Sequence, residues 1–176
     1  MSQGDCGISL LNDCKYGFQA KENMIGLTML RSSKDPDPES DMGEHSFTYS
    51  IFPHEGDWRQ AGTHWEALDL NDPIDVLIST GKTKGELKST HSFVYLEAEG
   101  VALEALKKAE DSEEMIIRIV ERHGSRTKGL LYFDCPILSV SECNLMEQAE
   151  KKIAFMENKI SFLISPYEIK TFKIKI

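Results

Sequence analysis

An all-β fold is predicted for this chain: an antiparallel β-sandwich or a large curled sheet, with one short helix near residues 57–68. Short runs alternate apolar and polar side chains with the two-residue period of a half-buried strand. Asn, Asp, Gly and Pro punctuate those runs at turn positions. One segment stands apart by its three- and four-residue apolar spacing, and it supplies the helix.

Residues 7–11 form an apolar run stopped by Asn12 and Asp13, a strand ending in a turn. Tyr16, Phe18 and Ala20 alternate with polar or small neighbours, Glu22-Asn23 turns the chain back, and residues 24–30 form a second apolar run. Together these make a hairpin. Residues 35–41 are a surface loop, because Pro36 and Pro38 hold their preceding residues extended and remove two donors. Over residues 45–52, Phe47, Tyr49 and Ile51 share one face and Ser46, Thr48 and Ser50 the other, a strand that Pro53 is expected to close.

Asp57 is the expected N-cap of the helix, on which Trp58, Ala61, Trp65 and Leu68 share a face; Gly62 limits it to one to three turns. Residues 74–78 read as extended. Further strands are expected over residues 93–98, 115–121, 129–133 and 159–164, and the chain ends on alternating Phe172, Ile174 and Ile176. Residues 101–114 combine high helix propensity with the alternation of Val101, Leu103 and Ala105, so helix and strand both stay open from the residues alone, a strand ending near Glu110-Asp111-Ser112. The whole reads as one β-rich domain, residues 1–176, with two candidate sublayers, 1–70 and 75–176.

With 176 residues, the chain is long enough for one good core or two small layers sharing one. Its 29 acidic and 20 basic side chains give a net charge of −9, which repels nucleic acid and anionic membranes; neutral ligands such as sugars stay open. Cys6 and Cys14, like Cys135 and Cys143, are too sparse and widely spaced for a disulfide scaffold or a zinc knuckle. With no Asn-x-Ser/Thr sequon and no leader-like N-terminus, a reduced, cytoplasmic protein with buried thiols is expected.

Chemistry-bearing residues concentrate in residues 31–58. Acid/base chemistry by a carboxylate pair needs two such groups converging on one bond. Asp35, Asp37, Glu39, Asp41 and Glu44 offer carboxylates, but acids on a Pro-rich loop are ordinarily solvated. His45, His54 and His64, with Glu55 and Asp57, lack a zinc spacing, so no metal site is assigned; His45 reads as a histidine bonding backbone at a strand start. Arg31 is placed to pair with Asp37, Asp41 or Glu44 and brace the loop. Trp58 and Trp65 read as core or interface packing, Tyr167 and Phe172 as core anchors of the last strand. The Gly81-Lys82-Thr83-Lys84-Gly85 loop lacks the Walker pattern. The turn Asn12-Asp13-Cys14-Lys15-Tyr16 presents an acceptor, a cation and a ring, the mixture that recognises carbohydrate; otherwise Asn12 or Asp13 caps its own turn and Lys15 is solvated.

An ordered set of motifs goes further. Gly7-Ile8-Ser9-Leu10-Leu11-Asn12-Asp13-Cys14-Lys15-Tyr16-Gly17, Leu30-Arg31-Ser32, Pro36-Asp37-Pro38 and Asp41-Met42-Gly43-Glu44-His45-Ser46-Phe47-Thr48-Tyr49 precede Pro53-His54 and Gly56-Asp57-Trp58. Lys107-Lys108-Ala109-Glu110-Asp111, Ile117-Arg118-Ile119-Val120-Glu121 and Pro166-Tyr167-Glu168-Ile169-Lys170-Thr171-Phe172 follow. Together they resemble the C-terminal region of the glycoside hydrolase family 38 alpha-mannosidases, most strongly the cytosolic and bacterial branch.

The resemblance implies strand over residues 101–110. It also implies a parent enzyme that cleaves alpha-mannosides with retention, using an aspartate nucleophile, an acid/base carboxylate and one zinc ion. Those signatures belong to the family's N-terminal catalytic domain and the region just after it, so no catalytic residue, cofactor or metal is expected here, and the chain reads as a fragment or separately expressed domain.

The expected function is that of a noncatalytic β domain buttressing the catalytic domain and shaping its cleft, with Asn12, Asp13, Lys15 and Tyr16 at the substrate rim. Its expected partners are the N-terminal catalytic domain of the same polypeptide, a mannose-containing oligosaccharide, and a second copy through self-association. The alternatives are an autonomous carbohydrate-binding module, with solvent-facing aromatics flanked by Asp, Asn or Lys, and a small hydrolase complete in itself.

Overall fold

Residues 1–79, 81 and 85–176 are described by a computed structural model, and the chain divides into two compact units, Met1–Gly81 and Lys82–Ile176. The glycine-flanked basic loop falls at their junction, and its residues 82–84 lie outside the described residues. Antiparallel sheets run through both units, and among the described residues the one short helix lies in the first.

The first unit contains β1 (Ser2–Gln3), β2 (Cys6–Asn12), β3 (Gly17–Lys21), β4 (Met24–Thr28), β5 (Tyr49–Glu55) and α1 (Thr63–Asn71). Strands β1, β2 and β5 form one sheet, and β3 and β4 form the expected hairpin around Glu22-Asn23. Pro53 does not close β5. It sits inside the strand opposite Ile8, because β5 is an edge strand where a missing N–H is tolerated. The strand starts at Tyr49 instead of residue 45.

The helix also begins later than expected. Gly62 takes a left-handed φ of 66° and separates a turn from Thr63, the first helical residue. Asp57 caps that turn, accepting the backbone N–H of Arg59 at 2.8 Å and of Gln60 at 3.1 Å. Trp58 therefore lies outside the helix and shares no helix face with Trp65, which is exposed. Residues 74–78 join no strand, and Ile74, Val76, Leu77 and Ile78 all project into solvent.

The second unit holds β6 (Val94–Glu97), β7 (Val101–Lys108), β8 (Met115–Glu121), β9 (Thr127–Phe133), β10 (Ser139–Cys143), β11 (Ala149–Lys152), β12 (Lys159–Ile164) and β13 (Ile169–Lys175). A five-stranded sheet runs β11-β10-β13-β8-β7 and a three-stranded sheet β12-β9-β6. One core takes Val101, Ile117, Ile119, Val140, Phe172 and Ile174 from the first sheet and Leu131, Phe133, Ile160, Phe162 and Ile164 from the second. Phe162 and Phe172 meet across it with ring centroids 6.3 Å apart. Each such side chain contributes about 1.5–3 kcal/mol by leaving water.

The ambiguous segment after Gly100 is strand. Its residues pair with β8 across a register shift between Leu103 and Ala105, so cross-strand packing outweighs helix propensity. Strands β10 and β11, SVSEC and AEKK, were not anticipated. Phe172 is a core anchor at 1% exposure, whereas Tyr167 is not. Tyr167 has a φ of 59° in the turn before β13 and is 66% exposed, because that conformation turns its ring out over Gly124. Of the thiols Cys143 is buried and Cys135 half-buried, but Cys6 and Cys14 are exposed: all four are free, and the expectation of uniform burial fails on the thin first sheet.

Candidate functional site

The turn after β2 is built by its own side chains. Asn12 Oδ1 accepts the backbone N–H of Cys14 at 3.1 Å and also that of Lys15, an Asx turn that stops the strand. Asp13 then clamps the turn to the approach of β5: its N–H donates to the Thr48 carbonyl at 3.2 Å, and its Oδ2 accepts the Thr48 N–H at 2.8 Å. A side-chain hydrogen bond from Cys14, seconded by Thr48, holds the Asp13 carboxyl below its ordinary value and raises the Cys14 thiol. Lys15 lays its ammonium 4.5 Å from the centroid of Phe47. Tyr16 projects at 94% exposure. Asn12 and Asp13 thus direct acceptor oxygens at backbone, while Tyr16 offers a ring and hydroxyl outward.

The other sequence candidates separate. Asp41 Oδ2 accepts the Ser32 N–H at 2.5 Å, and Asp37 Oδ1 accepts that of Glu39 at 2.9 Å, so these acids shape their own loop. Arg31 forms no ion pair with Asp37, Asp41 or Glu44; the brace expected of it comes from Asp41 on the neighbouring backbone instead. His45 Nε2 lies 3.0 Å from the Asp41 carbonyl. Among the described residues no three His, Cys, Asp or Glu side chains converge as a metal site requires. The zinc of the family resemblance finds no donor set among the described residues.

A polar clasp escaped sequence reasoning. Ser9 Oγ lies 3.0 Å from His54 Nε2 and 3.1 Å from Thr63 Oγ1, joining β2, β5 and α1. The outer imidazole nitrogen faces the Glu55 carbonyl at 3.3 Å, and Ser9 is 8% exposed. With no carboxylate behind the imidazole and little access to the hydroxyl, this is a fastening and not a nucleophile. Gly7 leaves room for it: a Cβ there would stand 2.3 Å from His54 Cε1.

The opposite face of the same sheet is apolar and open. Ile8, Tyr49 and Ile51 are 40%, 48% and 59% exposed, and a groove of about 620 Å3 runs beside them, lined by Met1, Leu10 and Ile25 among others. Leu11 is the sole buried apolar side chain among the described residues of the first unit. That burial is far below the ordering cost of such a segment, about 1 kcal/mol or more per residue. Contiguous apolar faces of this kind are uncommon on the surfaces of monomeric proteins.

Comparisons with known proteins agree with the motifs. Residues 1–39 match the family model "Glycosyl hydrolases family 38 C-terminal domain", and residues 100–172 match "Glycosyl hydrolases family 38 C-terminal beta sandwich domain". The chain is 36% identical, over 98% of its length, to Alpha-mannosidase G of Dictyostelium discoideum. It is 32% identical over 97% to Alpha-mannosidase 2C1 of Mus musculus, and 31% over 96% to Alpha-mannosidase 2C1 of Homo sapiens. It spans 16–17% of the length of these relatives.

Proposed function

Since this chain belongs to the family 38 glycosyl hydrolases, as their C-terminal region, we propose that it is the noncatalytic β domain of an alpha-mannosidase. It buttresses the catalytic domain of the same polypeptide and forms one wall of the cleft in which alpha-mannosides are hydrolysed. The observation that carries this reading is the open apolar face of the first unit, which buries little beyond Leu11 and exposes Ile8, Tyr49 and Ile51. Such a surface reaches the stability of a folded domain by seating against a larger body, and the short span relative to the mannosidases supports a catalytic domain as that body.

Asn12 and Asp13 set the turn that carries Lys15 and Tyr16 at the substrate rim, where a tyrosine ring covers an apolar sugar face and its hydroxyl bonds sugar hydroxyls. In the second unit the two sheets share inner-face side chains, which supports a β-sandwich. Free thiols, two of them exposed, support a reducing cytoplasmic setting.

Co-expression tests the buttress. The preceding catalytic region of the parent mannosidase is produced with and without this chain supplied in trans, and hydrolysis of an activated alpha-mannoside is measured. Activity and solubility are expected to require the chain and to fall when it carries Ile51→Asp. A catalytic region fully active and soluble alone overturns the proposal.

A further inference from the structure

The three-stranded sheet of the second unit turns one face to the core and the other outward. Inward go Leu131, Phe133, Ile160, Phe162 and Ile164. The outward row is set by register: Tyr95 stands opposite Tyr132, and Tyr132 opposite Lys159. The tyrosine ring centroids are 6.0 Å apart at 48°, the Lys159 ammonium lies 5.1 Å from the Tyr132 centroid, and the Tyr132 hydroxyl donates to Glu97 Oε2 at 2.9 Å. Burial and the Glu97 contact push the Tyr132 phenol upward, the Glu97 hydrogen bond most, so it stays protonated. Tyr95 is 58% exposed, and Ser161 is exposed beside the row.

A cross-strand tyrosine pair stabilises a sheet whatever else it does. This pair does more than that task requires. Tyr95 leaves over half its surface in water, while Lys159 lies over the Tyr132 ring and Glu97 takes its hydroxyl, so the open ring of Tyr95 is flanked by an acceptor, a cation and a hydroxyl. One carboxylate and one ammonium leave the cluster without net charge, and the −9 of the whole chain disfavours anions, so a neutral ligand fits. Rings that cover C–H surfaces with polar groups at their rim are the chemistry that holds a pyranose.

We propose that this outward face, centred on Tyr95 and Tyr132, binds a pyranose ring of a neutral oligosaccharide, with Glu97, Lys159 and Ser161 bonding its hydroxyls. The site uses the second unit alone and stands whether or not the first unit buttresses a catalytic domain.

The test is NMR titration of the full chain with alpha-linked mannotriose, and with maltotriose as a second neutral probe. Saturable amide shifts are expected over residues 94–97, 127–133 and 159–164, with a dissociation constant on the order of 1 mM. Tyr95→Ala is expected to weaken binding by about tenfold, and Tyr132→Phe, which keeps the ring but releases Glu97, by about twofold. Equal binding of both probes supports the platform without mannose selectivity. Absence of saturable shifts in the unsubstituted chain, shifts confined to other residues, or unchanged affinity in folded Tyr95→Ala overturns it. So does line broadening that grows with protein concentration and disappears in Tyr95→Ala, which assigns the face to a second copy. Should Tyr95→Ala not fold, the map of shifts in the unsubstituted chain decides.

Discussion

The carboxylate of Glu121 accepts the backbone N–H of Tyr167 at 2.9 Å across a sequence separation of 46 residues. The same carboxylate accepts His123 N–H at 2.9 Å and Gly124 N–H at 2.8 Å, so one buried acid, 1% exposed, ties the turn after β8 to the turn before β13. Glu121→Gln keeps the shape but loses the charge, and directs an amide N–H at backbone donors. Urea unfolding is expected to show the second unit destabilised by roughly 1.5–3 kcal/mol. A midpoint equal to that of the unsubstituted chain would sink this assignment.

Acid sensitivity follows from the same group. Burial pushes Glu121 up, but the N–H groups of Tyr167, Ser125, His123 and Gly124 outweigh it and hold the carboxyl below its ordinary 4.5. A group depressed in the folded state contributes stability that is full above its unfolded value and is lost as pH falls through the folded one. Stability is therefore expected to drop on acidification below about pH 4.5, and the drop to be shallower in Glu121→Gln. Lys107, Lys170 and Lys173 are raised above 10.5, so their stabilisation persists through neutral and mildly alkaline pH. Thermal melts between pH 3 and 9 on both proteins check this.

Asn12 and Tyr16 are expected to divide stability from function. Asn12→Ala removes the acceptor of two turn amides and should cost about 1 kcal/mol in the first unit. Tyr16→Ala removes a side chain that is 94% exposed and should leave the melting temperature unchanged while lowering kcat/KM of the parent mannosidase. Unchanged kcat/KM would remove Tyr16 from the rim.

On its own the chain is expected to show no hydrolysis of an activated alpha-mannoside, with or without added zinc. Asp41 and Asp37 serve loop backbone, and no metal donor cluster forms among the described residues. Turnover above background would require a carboxylate pair here after all.

The open face of the first unit should bind a hydrophobic dye such as ANS. Ile51→Lys is expected to reduce that binding without lowering the unfolding midpoint, since Ile51 is 59% exposed. Undiminished dye binding would place the accessible apolar surface elsewhere.

Strand identity was legible wherever alternation is local. Residues 115–121 and 159–164 carry their two-residue period in the chain itself, and the ordered motifs from Gly7 to Trp58 carried the family with them. The turn after β2 was legible as a turn because Asn12 and Asp13 cap it with their own atoms. Gly62 does keep the helix short, at nine residues, but its positive φ also moves the start to Thr63, and an edge position makes Pro53 harmless within a strand; neither effect is visible in neighbouring residues. Strands β10 and β11 are short and polar, and they exist because β13 and each other supply their hydrogen-bond partners.

Length, charge, turn chemistry and strand period are properties of neighbouring residues, so they can be read along the chain, and with them the all-β class. Register is not such a property. Placing Tyr95 opposite Tyr132, bringing Glu121 to Tyr167, making strand of residues 101–108 and leaving Ile8 and Ile51 in solvent all depend on which distant segments pair, and a shift of one residue would turn each side chain to the other face. In the second unit those pairings are won by the packing of two sheets over one core, a balance of many distant contacts that no single stretch of sequence contains. In the first, the β2–β5 ladder and the Ser9–His54–Thr63 clasp hold the register.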